Sequence, residues 1–538
     1  MSRDLTIDIC QTSFEVGNLQ SNVKKILQFY NNSSADLVVF SELCLTGYNC
    51  KDLFLNKLFL DEAYKALQNI CCEIKNRGLL IGMPIEQNGR IFNAAILIQN
   101  GKVQYQYNKH LLANYGVFDE KRYFSCGESI ASVIQFKNSK IQIFICEDIW
   151  GDLELYDHDA KSDVVIVMNA SPFSINKLFK RIQIIQNLSR KYFNQYIIYS
   201  NCVCAQDSLV FDGGSFVMKN AQMIVAPVQW KERVIQLRTH KQYNPIHYEY
   251  KKCGIFNLTI AATEEIYHAI VLGMQEYSKY AKFGKFVIGL SGGIDSALVA
   301  VLAVQAFGVE NVLCIAMPSI YSSQESLYDA IELTERIGCE LQVINIDKIK
   351  ISFENELRNS IGTLIENEIT NENLQPRIRA IILMAIANKE SRLLLCTSNK
   401  SESAVGYTTL YGDMTGALAP IIDLYKTQVY TLSKWLQVIP QSILNKEPSA
   451  ELKHNQKDSD SLLPYSVLDR ILYSLIEKRE STQNISCEYN IAESEVLKVQ
   501  RMIKSNEFKR SQSPLGIKIN SMMFGTDRRY PICYDNYE

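Results

Sequence analysis

Between residues 285 and 316 an apolar strand, a glycine-rich turn, an apolar helix and a second apolar strand follow one another, and that order commits the region to a parallel βαβ unit. The first strand reads Lys285-Phe-Val-Ile-Gly-Leu290, the helix runs from about Asp295 to Phe307, and the second strand is Val312-Leu-Cys-Ile-Ala316. A helix over Thr263–Tyr280 leads in. A helix near Gln324–Ile337, a strand Leu341–Ile346, a helix near Arg377–Lys389 and a strand Arg392–Cys396 carry the rhythm on. A doubly wound parallel α/β domain is therefore expected, with the loops after its strands facing one crevice.

The turn itself is chemically specific. Gly289, Leu290, Ser291, Gly292, Gly293, Ile294, Asp295 and Ser296 join the strand to the helix. The adjacent glycines let the backbone turn its N–H groups inward as an anion nest, and the helix points its positive end at the same spot. Ser291 and Ser296 add hydroxyl donors, and Asp295 is a candidate ligand for a magnesium ion bridging phosphate oxygens. The loop has no lysine of the G-x-x-x-x-G-K-[ST] kind, so γ-phosphoryl transfer is not the natural reading. It resembles the ATP pyrophosphatase family, which implies an adenine-nucleotide alpha hydrolase-like fold and attack on the α-phosphate of ATP, releasing AMP and pyrophosphate.

Six further segments narrow the acceptor. Glu372-Asn-Leu-Gln-Pro-Arg-Ile-Arg379, Thr397 through Tyr407, Tyr411-Gly-Asp413, Pro420 through Thr427, Pro448-Ser-Ala-Glu-Leu452 and Phe524 through Pro531 look like the successive signatures of NAD+ synthetases. This resemblance implies ATP contacts from Thr397 and Lys426, and contacts to deamido-NAD+ from Asn373, Glu402 and Lys518. It also implies magnesium held by Asp295 and Glu402. Thr397 and Glu402 follow a strand at its carboxyl end, where crevice ligands bind. Lys426 taken alone reads as a solvated surface lysine. The loop is shared with synthetases acting on other acceptors, so a different amidotransferase of the same class is the competing reading.

Residues 1–250 alternate short apolar runs with amphipathic stretches: Asp36–Phe40, Gly78–Gly82, Ala94–Ile98, Ile141–Ile145, Asp163–Val167 and Tyr196–Tyr199 as strands, with helical spacing over Asn22–Asn31 and Asp61–Asn76. A layered α/β domain is expected. Three runs end in reactive groups: Glu42, Lys109 and Cys146. If the runs are neighbouring strands, these groups converge at one sheet edge as a thiol, a proton-accepting carboxylate and a cation for an oxyanion, the set that amide hydrolysis needs. An isolated cysteine on an apolar strand is ordinarily an inert buried thiol. Cys146-Glu-Asp-Ile-Trp150, Phe40 through Tyr48, and Lys109 through Tyr123 resemble the nitrilase-like amidases, and specifically the glutaminase half of bacterial NAD+ synthetases. That resemblance implies an αββα sandwich, a Glu42–Lys109–Cys146 triad, and glutamine contacts from Tyr115, Ser171 and Lys177. Glu120 matches a second acidic position of nitrilases; a catalytic role and an ion pair with Lys121 or Arg122 stand equally open. Ala113 and the Asn49-Cys50 pair stand where the family pattern has proline, and Leu515 replaces the second proline of a Pro-Pro-Gly.

Composition sets the remaining limits. Lys+Arg of 56 against Asp+Glu of 58 give a formal charge of −2, so small molecules rather than nucleic acid or anionic lipid are the expected partners. No apolar run reaches membrane-span length, and Met1-Ser-Arg-Asp4 opens with polar groups where a signal peptide would be apolar. A cytoplasmic homo-oligomer is expected. Fifteen scattered cysteines read as reduced thiols, without a disulfide framework or structural zinc. The polar, aromatic stretch His240–Lys252 marks the join between a domain over 1–250 and one over 260–538. Glu447–Leu463 reads as a surface loop or lid.

Overall fold

A computed structural model describes residues 4–128, 131–151, 162–239, 241–364 and 368–534. Met1–Arg3 and His240, which figured in the leader and domain-join readings, lie outside the described residues. The chain divides into two compact units, Met1–Gln206 with Val210–Lys252, and Asp207–Leu209 with Cys253–Glu538.

In the first unit the strands are β1 Thr6–Gln11, β2 Leu37–Val39, β3 Gly78–Gln87, β4 Arg90–Gln99, β5 Lys102–Asn108, β6 Val133–Phe136, β7 Ser139–Ile145, β8 Val164–Met168, β9 Tyr196–Ser200, β10 Val203–Gln206, β11 Leu209–Asp212, β12 Phe216–Lys219, β13 Gln222–Val225 and β14 Arg233–Arg238. Twelve of them build two six-stranded sheets, ordered β14-β1-β2-β3-β4-β5 and β13-β12-β9-β8-β7-β6, while β10 and β11 pair with each other. Strand alternation explains the layering. Ile7, Ile9, Leu37 and Val39 point into one core together with Ile143, Ile145, Ile166 and Ile198 of the second sheet. Their alternates Cys10, Val38 and Phe40 join a separate core with Ile26 of the helix Leu19–Asn32 and Ala63, Leu67 and Ile70 of the helix Lys57–Glu73. The helix Lys177–Lys191 packs against β9 and β12 of the other sheet. Helix, sheet, sheet, helix is the αββα sandwich.

The second unit carries β15 Phe286–Gly289, β16 Val312–Ala316, β17 Glu340–Val343, β18 Leu393–Leu395, β19 Leu418–Ala419 and β20 Leu515–Gly516. All pair in parallel in the order β17-β16-β15-β18-β19-β20, so the order reverses between β15 and β18. The helices Ile294–Phe307 and Ile369–Glu390 both pack against β15, and Val287, Leu313, Ile315 and Leu394 meet Ile378 and Ala387 of the latter in one core. The crevice above a switch point is where ligands of such sheets sit, and the loop Leu290–Gly293 opens there. The helix Ile369–Glu390 starts eight residues before the predicted one and carries Pro376 inside it. Burial of Gln375 and Pro376 outweighs the backbone bond that proline forgoes. Beyond residue 464 a helical subdomain with its own core (Leu468, Ile471, Leu472, Ile485, Val496, Val499, Ile503) completes the unit. Among the described residues no helix is long and apolar enough to cross a membrane, and all fifteen cysteines are free thiols.

Candidate active sites

The candidate amidase site is assembled from both sheets. Glu42 and Lys109 follow strands β2 and β5 of the first sheet, with β3 and β4 between them, and Cys146 follows β7 of the second. Convergence is thus across facing sheets rather than along neighbouring strands. The Lys109 ammonium is 1% exposed and lies 2.7 Å from Oε1 of Glu42 and 2.8 Å from Oε1 of Glu120. Asn93 on β4 registers the pair: its carbonyl accepts the Lys109 N–H at 2.8 Å, and its amide donates to Glu42 Oε1 at 2.8 Å. The N–H of Ala170 donates to the other Glu42 oxygen at 3.0 Å.

Glu42 reaches this position through a tight turn in which Leu43 has φ +50°. Strand β3 passes directly behind it at Gly82, where a Cβ would stand 2.3 Å from the Leu43 nitrogen, so only glycine fits. Cys146 itself has φ +42°, a conformation that non-glycine residues adopt only under constraint. Burial and the Glu42 charge raise its thiol well above the ordinary range, against the opposing effect of Lys109. The thiol therefore holds its proton at rest. Lys109 is raised as well, because Glu120 and Glu42 outweigh its burial.

Around this centre Lys177 lies 4.2 Å over the Trp150 ring, and burial lowers its ammonium to about 8. Tyr115 is half-exposed and its hydroxyl donates to Glu147 Oε2 at 3.0 Å. Ser171 is buried, its hydroxyl accepting from Arg181 Nε at 3.1 Å while Arg181 Nη1 donates to both carboxylate oxygens of Asp212, at 2.7 and 2.9 Å. Glu120 does not pair with Lys121 or Arg122: its Oε2 accepts the N–H of Ala113 at 2.9 Å. A proline at 113 could not make that bond. Asn49, at φ +65°, likewise holds a conformation closed to proline.

In the second unit the glycine-rich loop Gly289–Ser296 closes on itself. The N–H of Ser291 donates to Ser296 Oγ at 3.2 Å and the N–H of Gly293 to Ser291 Oγ at 3.2 Å. Gly292 has φ +79°, and a Cβ there would stand 2.2 Å from the Ser326 carbonyl oxygen. Gly292→Ala is expected to add about 1–3 kcal/mol of strain, lower the melting temperature by several degrees and weaken ATP binding, read by thermal melts with and without ATP.

Beside the loop lies a cavity of about 280 Å³ whose lining includes Ser291, Gly293, Asp295, Thr397, Glu402 and Lys426. Lys426 Nζ bridges the carboxylates of Asp295 and Glu402, at 3.0 Å from the latter. Asn399 caps the short helix Lys400–Val405 through the Glu402 N–H at 3.0 Å and donates to Asp295 Oδ1 at 2.8 Å. Burial and the Asp295 charge push Glu402 up to about 8 despite the ammonium. Arg379 and Lys446 add positive charge to the wall, and Glu451 and Leu452 of the expected lid segment line it too. Gly292, Asn373 and Lys518 are not among the lining residues. Asn373 Oδ1 accepts from Thr409 Oγ1 at 2.9 Å, and Lys518 is buried against Asp527 and the Ser521 carbonyl.

The carbon-nitrogen hydrolase family model matches residues 6–241, and the NAD synthase family model residues 266–513. Over 98% of its length the chain is 39% identical to the glutamine-dependent NAD(+) synthetase of Synechocystis sp., covering 98% of that protein. It belongs to the glutamine-dependent NAD(+) synthetase family. The synthetase of Aquifex aeolicus is 38% identical over 98% of this chain and 99% of its own. Among solved structures, the family member from Acinetobacter baumannii in complex with adenosine diphosphate is 35% identical, with a TM-score of 0.77 and 98% of each chain covered. The synthetase from Cytophaga hutchinsonii has a TM-score of 0.85 at 21% identity, a likeness of fold.

Glu42, Lys109, Cys146 and the loop Gly289–Ser296 were singled out from strand ends and motifs. Asn93, Arg181, Asn399 and Lys446 were not singled out. Each acts through a partner distant in the chain, and no local pattern announces such a bond.

Proposed function

We propose that the chain hydrolyses glutamine to glutamate and ammonia and uses ATP to amidate deamido-NAD+ to NAD+, with AMP and pyrophosphate as by-products. One observation carries this reading: a buried Glu42–Lys109–Glu120 cluster within electrostatic reach of the strained Cys146 shares a chain with a phosphate loop beside a Lys426-bridged carboxylate pair.

In the first reaction Cys146 Sγ attacks the side-chain carbonyl of glutamine as Glu42 takes the thiol proton. Lys109 stabilises the oxyanion, and its two carboxylate partners hold it charged. The amide nitrogen leaves as ammonia with the proton returned by Glu42. Glu42 then deprotonates water, which attacks the thioester and frees glutamate. Tyr115, Ser171 and Lys177 hold the amino-acid end of glutamine, Lys177 through its α-carboxylate.

In the second reaction the nicotinate carboxylate attacks the α-phosphate of ATP, pyrophosphate departs, and ammonia displaces AMP. The residues from Gly289 to Ser296 cradle the phosphates, Thr397 and Lys426 contact ATP, and Asn373, Glu402 and Lys518 contact deamido-NAD+. Asp295 and Glu402 suit magnesium: both are hard oxygen donors already drawn to one cation. Among the described residues no group of three or more His, Cys, Asp or Glu is arranged to hold a metal, so phosphate oxygens and water would complete the shell. Magnesium would supply charge neutralisation on the triphosphate. The proposal includes a cytoplasmic homo-oligomer, tested by sedimentation of the purified chain.

The pH dependence of glutamine use tests the Lys177 assignment. Because burial lowers its ammonium to about 8, raising the pH above that value removes the charge that meets the α-carboxylate. The KM for glutamine is expected to rise about tenfold between pH 8 and pH 9.5, and Lys177→Arg to flatten the rise. A profile identical in both proteins contradicts the assignment.

A further inference from the structure

The amidase unit holds one more fully buried carboxylate, hydrogen-bonded to both segments that must meet for glutamine hydrolysis. Asp148 has no exposed surface. Its Oδ2 accepts from the Ile145 N–H at 2.9 Å and from the Tyr107 hydroxyl at 2.9 Å. Its Oδ1 accepts from the N–H groups of Leu111 at 2.8 Å and His110 at 3.1 Å. Ile145 immediately precedes Cys146, and Tyr107, His110 and Leu111 bracket Lys109. Cys146, at φ +42°, occupies a conformation that persists only where its surroundings hold it.

We propose that Asp148 is a positioning residue for glutamine hydrolysis, its carboxylate tying the strained turn of Cys146 to the segment that carries Lys109. The inference rests on the reading of Cys146 as nucleophile. An ionised carboxylate offers acceptors on both sides, and here both sides are met by donors. An amide of the same shape serves only one side. In Asp148→Asn the carbonyl oxygen is expected to face the fixed N–H groups of His110 and Leu111. The NH2 then meets the Ile145 N–H, donor against donor, and the link into the Cys146 turn is lost with little change in packing.

Steady-state assays of the full chain with each nitrogen donor test this. For Asp148→Asn the glutamine-driven kcat is expected to fall about a hundredfold, with KM for glutamine within about threefold and ammonium-driven synthesis within about twofold of the parent. Alkylation of Cys146 by iodoacetamide is expected to need higher pH, since a displaced Lys109 favours the thiolate less. Tyr107→Phe, which removes one rotatable donor, is expected to lower kcat about fivefold at unchanged KM, and it decides the matter if the first variant fails to fold. A glutamine-driven kcat within about threefold of the parent in Asp148→Asn overturns the proposal, as does an equal loss with both donors and an unmoved alkylation profile. A parental rate in Asp148→Asn while Cys146→Ala is inactive removes the role of Asp148 alone. Glutamine-driven synthesis surviving in Cys146→Ala removes the nucleophile assignment itself.

Discussion

Cys146→Ala is expected to abolish NAD+ formation from glutamine while leaving formation from ammonium close to that of the parent chain. In the proposed reaction the thiol forms the bond that releases ammonia, and the neighbouring carboxylates do not replace it: Glu42 and Glu120 are held by Lys109. Loss of a covalent nucleophile with its partners intact costs at least about ten-thousandfold in comparable sites. Alanine fits the position sterically, and its cost lies in the positive φ that Cys146 already bears. NAD+ formation is followed with deamido-NAD+, ATP and each nitrogen donor in turn. Glutamine-driven synthesis that survives the substitution shows that Cys146 is not the nucleophile; ammonium-driven synthesis that disappears shows that the two reactions are not separable at this residue.

Lys426→Met is expected to have the opposite signature, a loss of about a thousandfold with both donors. The ammonium sits between Asp295 and Glu402, and burial together with the Asp295 charge pushes Glu402 up to about 8 even with that ammonium beside it. Without Lys426 the two carboxylates face each other in a buried site, and Glu402 is expected to be pushed further up, holding its proton to higher pH. The site then loses the cation proposed to meet the phosphates. Equilibrium binding of ATP, measured by calorimetry, is expected to weaken in parallel. A variant that keeps its rate with ammonium contradicts the placement of ATP beside Lys426.

How far the sequence could be read depended on whether the signal was local. Strand Val312–Ala316 and helix Gln324–Ile337 have the bounds expected from periodicity alone, because each buries a stripe or face whose spacing is written in consecutive residues. Gly289–Ser296 was legible for the same reason: nest, hydroxyls and helix start lie in eight adjacent positions. The approach of Glu42, Lys109 and Cys146 was inferred from strand ends, but their assembly across two facing sheets depends on the pairing order, which no single run encodes. The helix expected near Arg377–Lys389 begins at Ile369 and carries Pro376 inside it, where the local preference of proline yields to burial. Asp148 sits two residues from Cys146 and was passed over. Donors to it come from residues 107, 110, 111 and 145, and a carboxylate's partners cannot be seen until the chain is folded.

Isotope transfer with product analysis tests the coupling of the two reactions most directly. The chain is supplied with glutamine labelled with 15N in its amide, together with ATP and deamido-NAD+, and NAD+, glutamate and the adenine nucleotides are quantified. The expected result is 15N in the carboxamide of NAD+, with AMP and pyrophosphate formed in equal amounts to NAD+. Formation of ADP and phosphate, or NAD+ without the label, contradicts it.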